Sequence, residues 1–253
     1  MITAVNEHCL TNSGTSGTQA DPPNRLGDSI AAVLSHIRRY RLTVFSAVEQ
    51  LAALQGAGPR HIKHILKEAA RENLIDSARL HHNCRYWFLT ETCVAAFEGN
   101  CRHGPLTEPA KVRAFAMLAF CHLSERPRVR LMRDELRRHF PDLDETGMTS
   151  TYYFDGADDG CLGLARVDAG QRGRWDRVVE SIREDIDTHC SRQGFQKLIA
   201  DRSFEISILT VHPQKAARIR QALSEKSDAQ RIPIRIVPIL QILPLLTFHA
   251  ERL

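Results

Sequence analysis

Four hydrogen-bond donors recur at spacings of three and four residues in a segment that begins at Pro59. They are Arg60, Lys63, His64 and Lys67. Residues at these spacings lie on one face of an α-helix, so the four side chains would form a single strip. Such donors recognise base edges and phosphate oxygens in a groove of duplex DNA. The pattern therefore predicts that the strip contacts the bases of double-stranded DNA.

Further arginines flank this segment and predict contacts with phosphates. Arg38, Arg39 and Arg41 form a cluster before it, and Arg85 follows it in a predicted hairpin. Residues 38–71 carry seven Lys or Arg against two Glu, a local net charge of +5. Local positive charge of this size attracts a duplex electrostatically. The alternative is that the basic face is only solvated and the domain binds another protein.

A group of carboxylates in the C-terminal half is the second candidate for chemistry. It comprises Asp155, Asp158, Asp159 and Asp168. Metal-dependent cleavage of a phosphodiester needs two or three carboxylates that converge, usually with a lysine. Arg166 lies two residues before Asp168, and a cation there would repel Mg²⁺. We expect no catalytic site here, and a Mg²⁺-dependent nuclease that uses Asp158 and Asp168 is the alternative.

The seven cysteines are scattered and contain no CxxC pair. This distribution is typical of free thiols in a reducing compartment. Cys84, Cys93, Cys101 and His103 come nearest to a metal site, but the first two spacings exceed those of zinc knuckles. The sequence also lacks the GxxxxGK[ST] loop that binds nucleotide phosphates. We therefore expect neither a metal nor a cofactor.

The composition indicates a globular protein with a mild positive charge. Its 253 residues are 43% hydrophobic and 25% charged, with a formal net charge of +4. These values exclude the fibrous and wholly disordered classes. The longest apolar stretch, residues 232–248, is interrupted by three prolines and falls short of a membrane span. The first ten residues lack the features of a secretory signal, so we expect a cytoplasmic protein with no membrane contact.

The pattern around the basic strip predicts a winged helix-turn-helix domain over residues 26–105. Residues 1–25 are rich in Ser, Thr, Gly and Asn and predict a disordered tail. A first helix runs from Asp28, Thr43 is expected to cap a second, and a third begins at Pro59. The inward face of the third helix is expected to carry Ile62, Ile65, Leu66, Ala69 and Ala70. A hairpin and a helix capped by Thr90 complete the order, in which the third helix enters the major groove and the hairpin lies along the backbone.

The rest of the chain is predicted to form a helical connector and then an α/β domain. In the connector, residues 106–150, a helix that begins near Pro109 is strongly apolar over residues 115–123, as a core helix or a dimer interface. A second helix is expected from Pro127 to Phe140, with six arginines between residues 126 and 138 on a solvated face. Over residues 151–253, strands at 162–167, 204–211 and 232–237 alternate with helices at 175–190 and 216–223. This alternation favours parallel pairing, and the whole chain is assigned to the α+β class.

Residues 42–97 resemble the winged-helix half of the replication-relaxation family of plasmids and integrative elements. The resemblance rests on the helix-turn-helix, on the run ILKEAARENLI at residues 65–75 and on the wing that ends YWFLT at residues 86–90. In that family a C-terminal half of restriction-endonuclease-like fold often follows, with a strand ending in an acidic, x, Asp, x, Gly pattern before a helix and a hydrophobic strand. Asp168 and Gly170 match this pattern here, and Arg166 replaces the first acid. The resemblance implies an inactive nuclease-like domain that is kept for dimerisation or partner binding.

Together these features predict a cytoplasmic, sequence-specific binder of double-stranded DNA that acts as a homodimer. It would serve a mobile element such as a plasmid, as a transcriptional regulator or as a replication or mobilisation factor. An enzymatic role is not expected. The alternatives are the Mg²⁺-dependent nuclease and a protein-interaction module that uses residues 115–123 as its interface.

Overall fold

The computed structural model describes residues 25–51, 54–97, 101–143, 151–157, 160–168, 175–225 and 231–250. The chain divides into two compact units, Met1–Leu118 and Ala119–Leu253. Both contain helices and strands, which is consistent with the predicted α+β class. Apart from Arg25, the predicted disordered tail lies outside the described residues. Within the described ranges, no helix has both the length and the hydropathy needed to cross a bilayer.

The first unit contains three helices followed by a hairpin and a short helix. The elements are α1 (Arg25–Tyr40), α2 (Phe45–Glu49), α3 (Pro59–Arg71), β1 (Ile75–His81), β2 (Cys84–Leu89) and α4 (Glu91–Ala95). Strands β1 and β2 pair antiparallel, with Ile75 opposite Leu89. Thr43 forms an isolated antiparallel bridge with Trp87 on the other side of β2. Helix α5 (Glu108–Cys121) then runs across the division between the units.

A hydrophobic core holds α1, α3 and the hairpin together. Val33 and Ile37 of α1 pack in one cluster with Ile62 and Ile65 of α3, all almost inaccessible to solvent. Burial of a large aliphatic side chain contributes about 1.5–3 kcal/mol relative to exposure. The helical spacing of the buried Ile62 and Ile65 therefore determines which face of α3 points into the unit.

The structure corrects two details of this unit. Thr43 does not cap α2, because its backbone N–H and C=O pair with Trp87 at 3.0 and 2.9 Å, which keeps Thr43 extended. Val44 is the residue before α2, and it provides no side-chain cap. Ala70 is exposed rather than inward-facing, because it lies about 100° around the helix from the buried Ala69. The predicted cap of α4 is confirmed, since the Cys93 N–H donates to Thr90 Oγ1 at 3.2 Å.

The second unit is built on a five-stranded mixed sheet. Its elements are β3 (Arg128–Arg130), α6 (Arg133–His139), β4 (Tyr152–Asp155), β5 (Cys161–Asp168), α7 (Trp175–Ser191), α8 (Gln193–Ala200), β6 (Phe204–Thr210), α9 (Pro213–Ser224), β7 (Ile234–Pro238) and α10 (Leu243–Ala250). The strands are arranged in chain order, β3-β4-β5-β6-β7. The pairs β3/β4 and β4/β5 are antiparallel, and β5/β6 and β6/β7 are parallel. The predicted parallel strands and their connecting helices are thus confirmed.

Residues 128–130 form a strand, whereas the sequence pattern predicted a helix from Pro127. Arg128 and Arg130 are buried, and Val129 between them is 45% exposed. The buried Asp155 accepts hydrogen bonds from Arg128 Nε at 3.0 Å and from Arg126 Nε at 2.6 Å. These bonds offset the cost of burying the charges of Asp155 and Arg128. The prediction of a solvated face is therefore wrong for Arg128 and Arg130, although it is correct for the exposed Arg133, Arg137 and Arg138.

Helix α5 is a core helix. Phe115 is 6% exposed, and the residues from there to Cys121 are all buried within the chain. Only the end of the predicted interface, at His122 and Leu123, is partly exposed. Because burial within the chain removes this surface from solvent, residues 115–121 offer no free apolar face to a partner.

Candidate nucleic-acid interface

Helix α3 carries the predicted strip, and its inner face holds the helix in place. Pro59 occupies the first turn, where its missing N–H costs no helical hydrogen bond, and Gly58 precedes it in an extended conformation. Ile62, Ile65, Leu66 and Ala69 are buried. With four buried side chains on one side, α3 presents its opposite side to solvent in a fixed orientation.

The four predicted base-contacting residues lie together on that solvent-facing side. Arg60, Lys63, His64 and Lys67 are all exposed. The carboxylate of Glu68 binds Arg71 Nη2 at 2.6 Å and lies 4.0 Å from His64 Nδ1. Among the residues that the structure describes, Arg60, Lys63 and Lys67 have no carboxylate partner. These three charges are therefore available to an anionic ligand.

The hairpin adds two further exposed cations. Arg85 of β2 lies opposite Arg79 of β1 in the strand register, and both side chains are exposed. Arg85 Nη1 donates to Ser77 Oγ at 3.1 Å, which orients the guanidinium along the hairpin. At the tip, burial and the neighbouring His82 lower the pKa of His81. The tip therefore contributes less positive charge at neutral pH than two ordinary histidines would.

The three arginines near the end of α1 differ from the strip, because all are half-buried. The Arg38 guanidinium stacks on the ring of Phe97, with its carbon 5.2 Å from the ring centroid. Arg41 follows α1 in the left-handed conformation, with φ at 69°. The positive charges of Arg38 and Arg41 both counteract the burial that raises the pKa of the Cys101 thiol. Of the predicted phosphate contacts, Arg85 thus lies on the hairpin, and Arg38, Arg39 and Arg41 lie half-buried at the end of α1.

The carboxylates of the second unit are held by cations. Asp168, at the end of β5, accepts hydrogen bonds from Lys215 Nζ at 2.8 Å and from Thr210 Oγ1 at 3.2 Å. Arg166 pairs with Asp185 of α7. Asp158, Asp159 and Gly170 of the sequence pattern lie outside the described residues. Asp168 is therefore already neutralised by Lys215.

Asp155 and Asp168 do not converge. Asp155 lies opposite Cys161 at the start of β5, and Asp168 is at the other end of that strand. Cys161, the residue opposite Asp155, lies seven residues before Asp168 along β5, a distance of roughly 23 Å. The described part of the chain contains no group of three or more His, Cys, Asp or Glu residues that could hold a metal ion. The six cysteines within the described ranges are free thiols.

Sequence reasoning missed Lys215 and a buried polar network. Lys215 lies in the first turn of α9, 47 positions after its partner Asp168. In the network, Tyr153 Oη donates to Glu205 Oε1 at 2.5 Å, and Arg235 Nη2 binds the other carboxylate oxygen at 2.9 Å. The sequence places Lys215 just after Pro213, where a strand gives way to a helix, but this position does not identify its partner. Long-range partners of this kind leave no local pattern in the sequence.

No protein-family model, curated protein or solved structure matches the chain.

Proposed function

We propose that this protein is a sequence-specific binder of double-stranded DNA, with α3 as its recognition helix. The observation that carries the proposal is the strip on α3, in which exposed donors at helical spacing oppose a fully buried apolar face. From Arg60 to Lys67 the strip is about 10 Å long along the helix axis, and an α-helix about 10–12 Å across with its side chains fits a major groove about 12 Å wide. Arg, Lys and His side chains can donate to base edges there and to phosphates at the groove rim.

The order of elements in the first unit supports a winged helix-turn-helix. Helix α1 is followed by the extended Thr43, helices α2 and α3, and then the hairpin. Because Thr43 pairs with Trp87, β2 lies between Thr43 and β1. In such a domain the hairpin lies along the DNA backbone, and Arg79 and Arg85 would there face phosphates. Arg38, Arg39 and Arg41 would contribute further phosphate contacts.

The ion pairs of the second unit favour a binding role over a catalytic one. Strand β5 ends at Asp168 and leads into α7 and β6, which is the order expected of the nuclease-like pattern. A carboxylate that already binds Lys215, with Arg166 two residues before it, is poorly suited to Mg²⁺. We propose that this unit supports dimerisation or partner binding, and that a homodimer in the cytoplasm binds paired half-sites. In this proposal the protein acts in transcription, replication or mobilisation of a mobile element.

Selection of bound genomic fragments tests the proposal. The purified protein is mixed with fragmented genomic DNA at near-physiological salt, and the enriched fragments are sequenced and footprinted. We expect a discrete site, arranged as an inverted repeat if the protein binds as a dimer. Failure to enrich any sequence would contradict sequence-specific binding and favour a partner-binding role.

A further inference from the structure

The two arginines of α3 have different environments. Arg71, the last residue of the helix, binds Glu68 Oε2 at 2.6 Å. Arg60 lies in the first turn, is exposed, and forms no ion pair with any carboxylate in the described part of the chain. The guanidinium of Arg60 is therefore available to a ligand, whereas that of Arg71 is occupied.

Arg60 points away from the core of the first unit. The fully buried Ala69 lies nine residues further along α3. Nine steps of about 100° place Ala69 roughly 180° from Arg60 around the helix axis. The residues of a recognition helix that contact base edges are those near its N-terminus. Arg60 thus lies on the face, and at the end, of α3 that would contact bases.

The rest of α3 offers few hydrogen-bond acceptors to a base. Asn, Gln, Ser, Thr and Asp are absent from Pro59–Arg71, and Glu68 is the only carboxylate of the helix. The Glu68 side chain is 15% exposed, and its oxygens lie 2.6 Å from Arg71 Nη2 and 4.0 Å from His64 Nδ1. Recognition of adenine by an amide, or of cytosine by a free carboxylate, is therefore not available to this helix.

Guanine is the base whose major-groove edge suits a side chain that only donates. Guanine presents two acceptors there, N7 and O6, whereas adenine combines one acceptor with a donor and cytosine presents a donor. The planar fork of an arginine donates to both guanine atoms at once. The ammonium groups of Lys63 and Lys67 are compact charges without this fork, so Arg60 is the side chain of α3 best suited to guanine.

We propose that Arg60 binds a guanine through N7 and O6 in the major groove, so that a G·C pair is a required part of each half-site. This inference rests on the proposed function, because it names a base that the strip on α3 recognises. Loss of Arg60 then changes the sequence preference of the protein. Loss of a phosphate contact, by contrast, lowers the affinity for all sequences alike.

A chemical change in the DNA, combined with a substitution in the protein, tests this contact. The wild-type protein selects duplexes from a library with a random core at near-physiological salt. The enriched motif is then synthesised with each guanine in turn replaced by 7-deazaguanine, which lacks the N7 acceptor and keeps its Watson–Crick edge.

Affinities for the natural and modified duplexes are measured for the wild type, Arg60→Ala and Lys67→Ala. Lys67→Ala is the control, because it removes another exposed cation of the strip, about 10 Å further along the helix. Both side chains are exposed, so both variants are expected to fold. The readout is the ratio of the two affinities, which a contact with a phosphate would leave unchanged.

We expect 7-deazaguanine at one position of the motif to weaken wild-type binding by about tenfold. Arg60→Ala should bind the natural motif more weakly and lose this difference at that position, whereas Lys67→Ala should keep it. A motif without guanine, wild-type tolerance of every 7-deazaguanine, or a difference that Arg60→Ala retains would refute the guanine contact, while the proposed function survives. If no motif is enriched, sequence-specific binding itself is refuted, and the guanine contact with it.

Discussion

Lys215 Nζ lies 2.8 Å from Asp168 Oδ1. Both residues are almost fully buried, since only 2% of the surface of Lys215 and 8% of that of Asp168 is exposed to solvent. The pair joins the end of β5 to the first turn of α9. Thr210, level with Asp168 on the neighbouring strand, donates to the second carboxylate oxygen at 3.2 Å. A carboxylate with these partners fixes the position of a helix on the sheet, which is a structural role.

Replacement of Lys215 by methionine should destabilise the protein strongly. The change leaves the Asp168 carboxylate buried without its cation, and loss of one partner of a buried pair costs about 3–5 kcal/mol. Urea denaturation measures the free energy of unfolding. The exposed Arg218→Ala on the same helix is the control, with an expected change within about 0.5 kcal/mol. The double variant Asp168→Asn/Lys215→Met should recover part of the loss, and equal losses in the single and double variants would contradict a buried ion pair.

The purified protein should not cleave DNA in the presence of Mg²⁺. Asp168 is held by Lys215, and Asp155 of β4 lies opposite the other end of β5, bound to Arg126 and Arg128. Incubation of supercoiled plasmid with protein and Mg²⁺, followed by gel electrophoresis, provides the measurement. Cleavage that disappears in Asp168→Ala would overturn the binding role of the second unit.

Acid should destabilise the protein in part through His189. This residue is buried, its ring contacts Tyr152 Oη at 2.7 Å, and burial lowers its pKa from 6.5. Because the folded state disfavours the charged ring, the unfolded state takes up a proton first as pH falls below about 6.5. The stability contributed by neutral His189 is therefore complete above that pH and is lost progressively below it.

The variant His189→Gln isolates this contribution. Free energies of unfolding are measured at pH 7.5 and pH 5.5 for the wild type and the variant. We expect a smaller loss between the two pH values in the variant, because glutamine does not titrate. His139→Gln, at an exposed histidine, is the control and should keep the wild-type loss. An unchanged loss in His189→Gln would show that other groups account for the pH dependence.

Truncation of the buried face of α3 should destabilise the first unit. Ile65 is fully buried in the cluster that joins α1, α3 and the hairpin. Ile65→Ala removes three methyl or methylene groups from this core and is expected to cost about 2–5 kcal/mol. Ala70→Ser, five residues further along at an exposed position, should change stability by less than about 0.5 kcal/mol. Similar effects of the two substitutions would contradict the assigned orientation of α3.

Local patterns predicted the parts of the fold whose sequence signal lies within one element. The spacing of Ile62, Ile65 and Leu66 predicted the buried face of α3, and the Thr90 cap followed from residue type alone. The alternating apolar run of β6 likewise identified a buried strand. In each case the sequence signal, a spacing or a residue type, lies within a few residues or one element, although α3 packs against α1 and the hairpin and β6 pairs with β5 and β7.

Features that depend on distant residues could not be predicted in this way. Arg128 and Arg130 looked like surface cations, because Asp155, the partner that permits burial of Arg128, is 27 residues away. Lys215 and Asp168 are separated by 47 residues. These long-range pairings require the sheet and the helices to be in place first.

The most direct test of the central claim is a salt titration of DNA binding by Lys63→Ala/Lys67→Ala. Affinity for the selected site is measured by fluorescence anisotropy at several salt concentrations, with Arg218→Ala/Arg220→Ala as the control of equal charge. If α3 is the recognition helix, the Lys variant binds more weakly, and its slope falls by about one unit of log affinity per lost phosphate contact. The control keeps the wild-type slope. Unchanged affinity and slope in the Lys variant would contradict the assignment of α3 to the DNA interface.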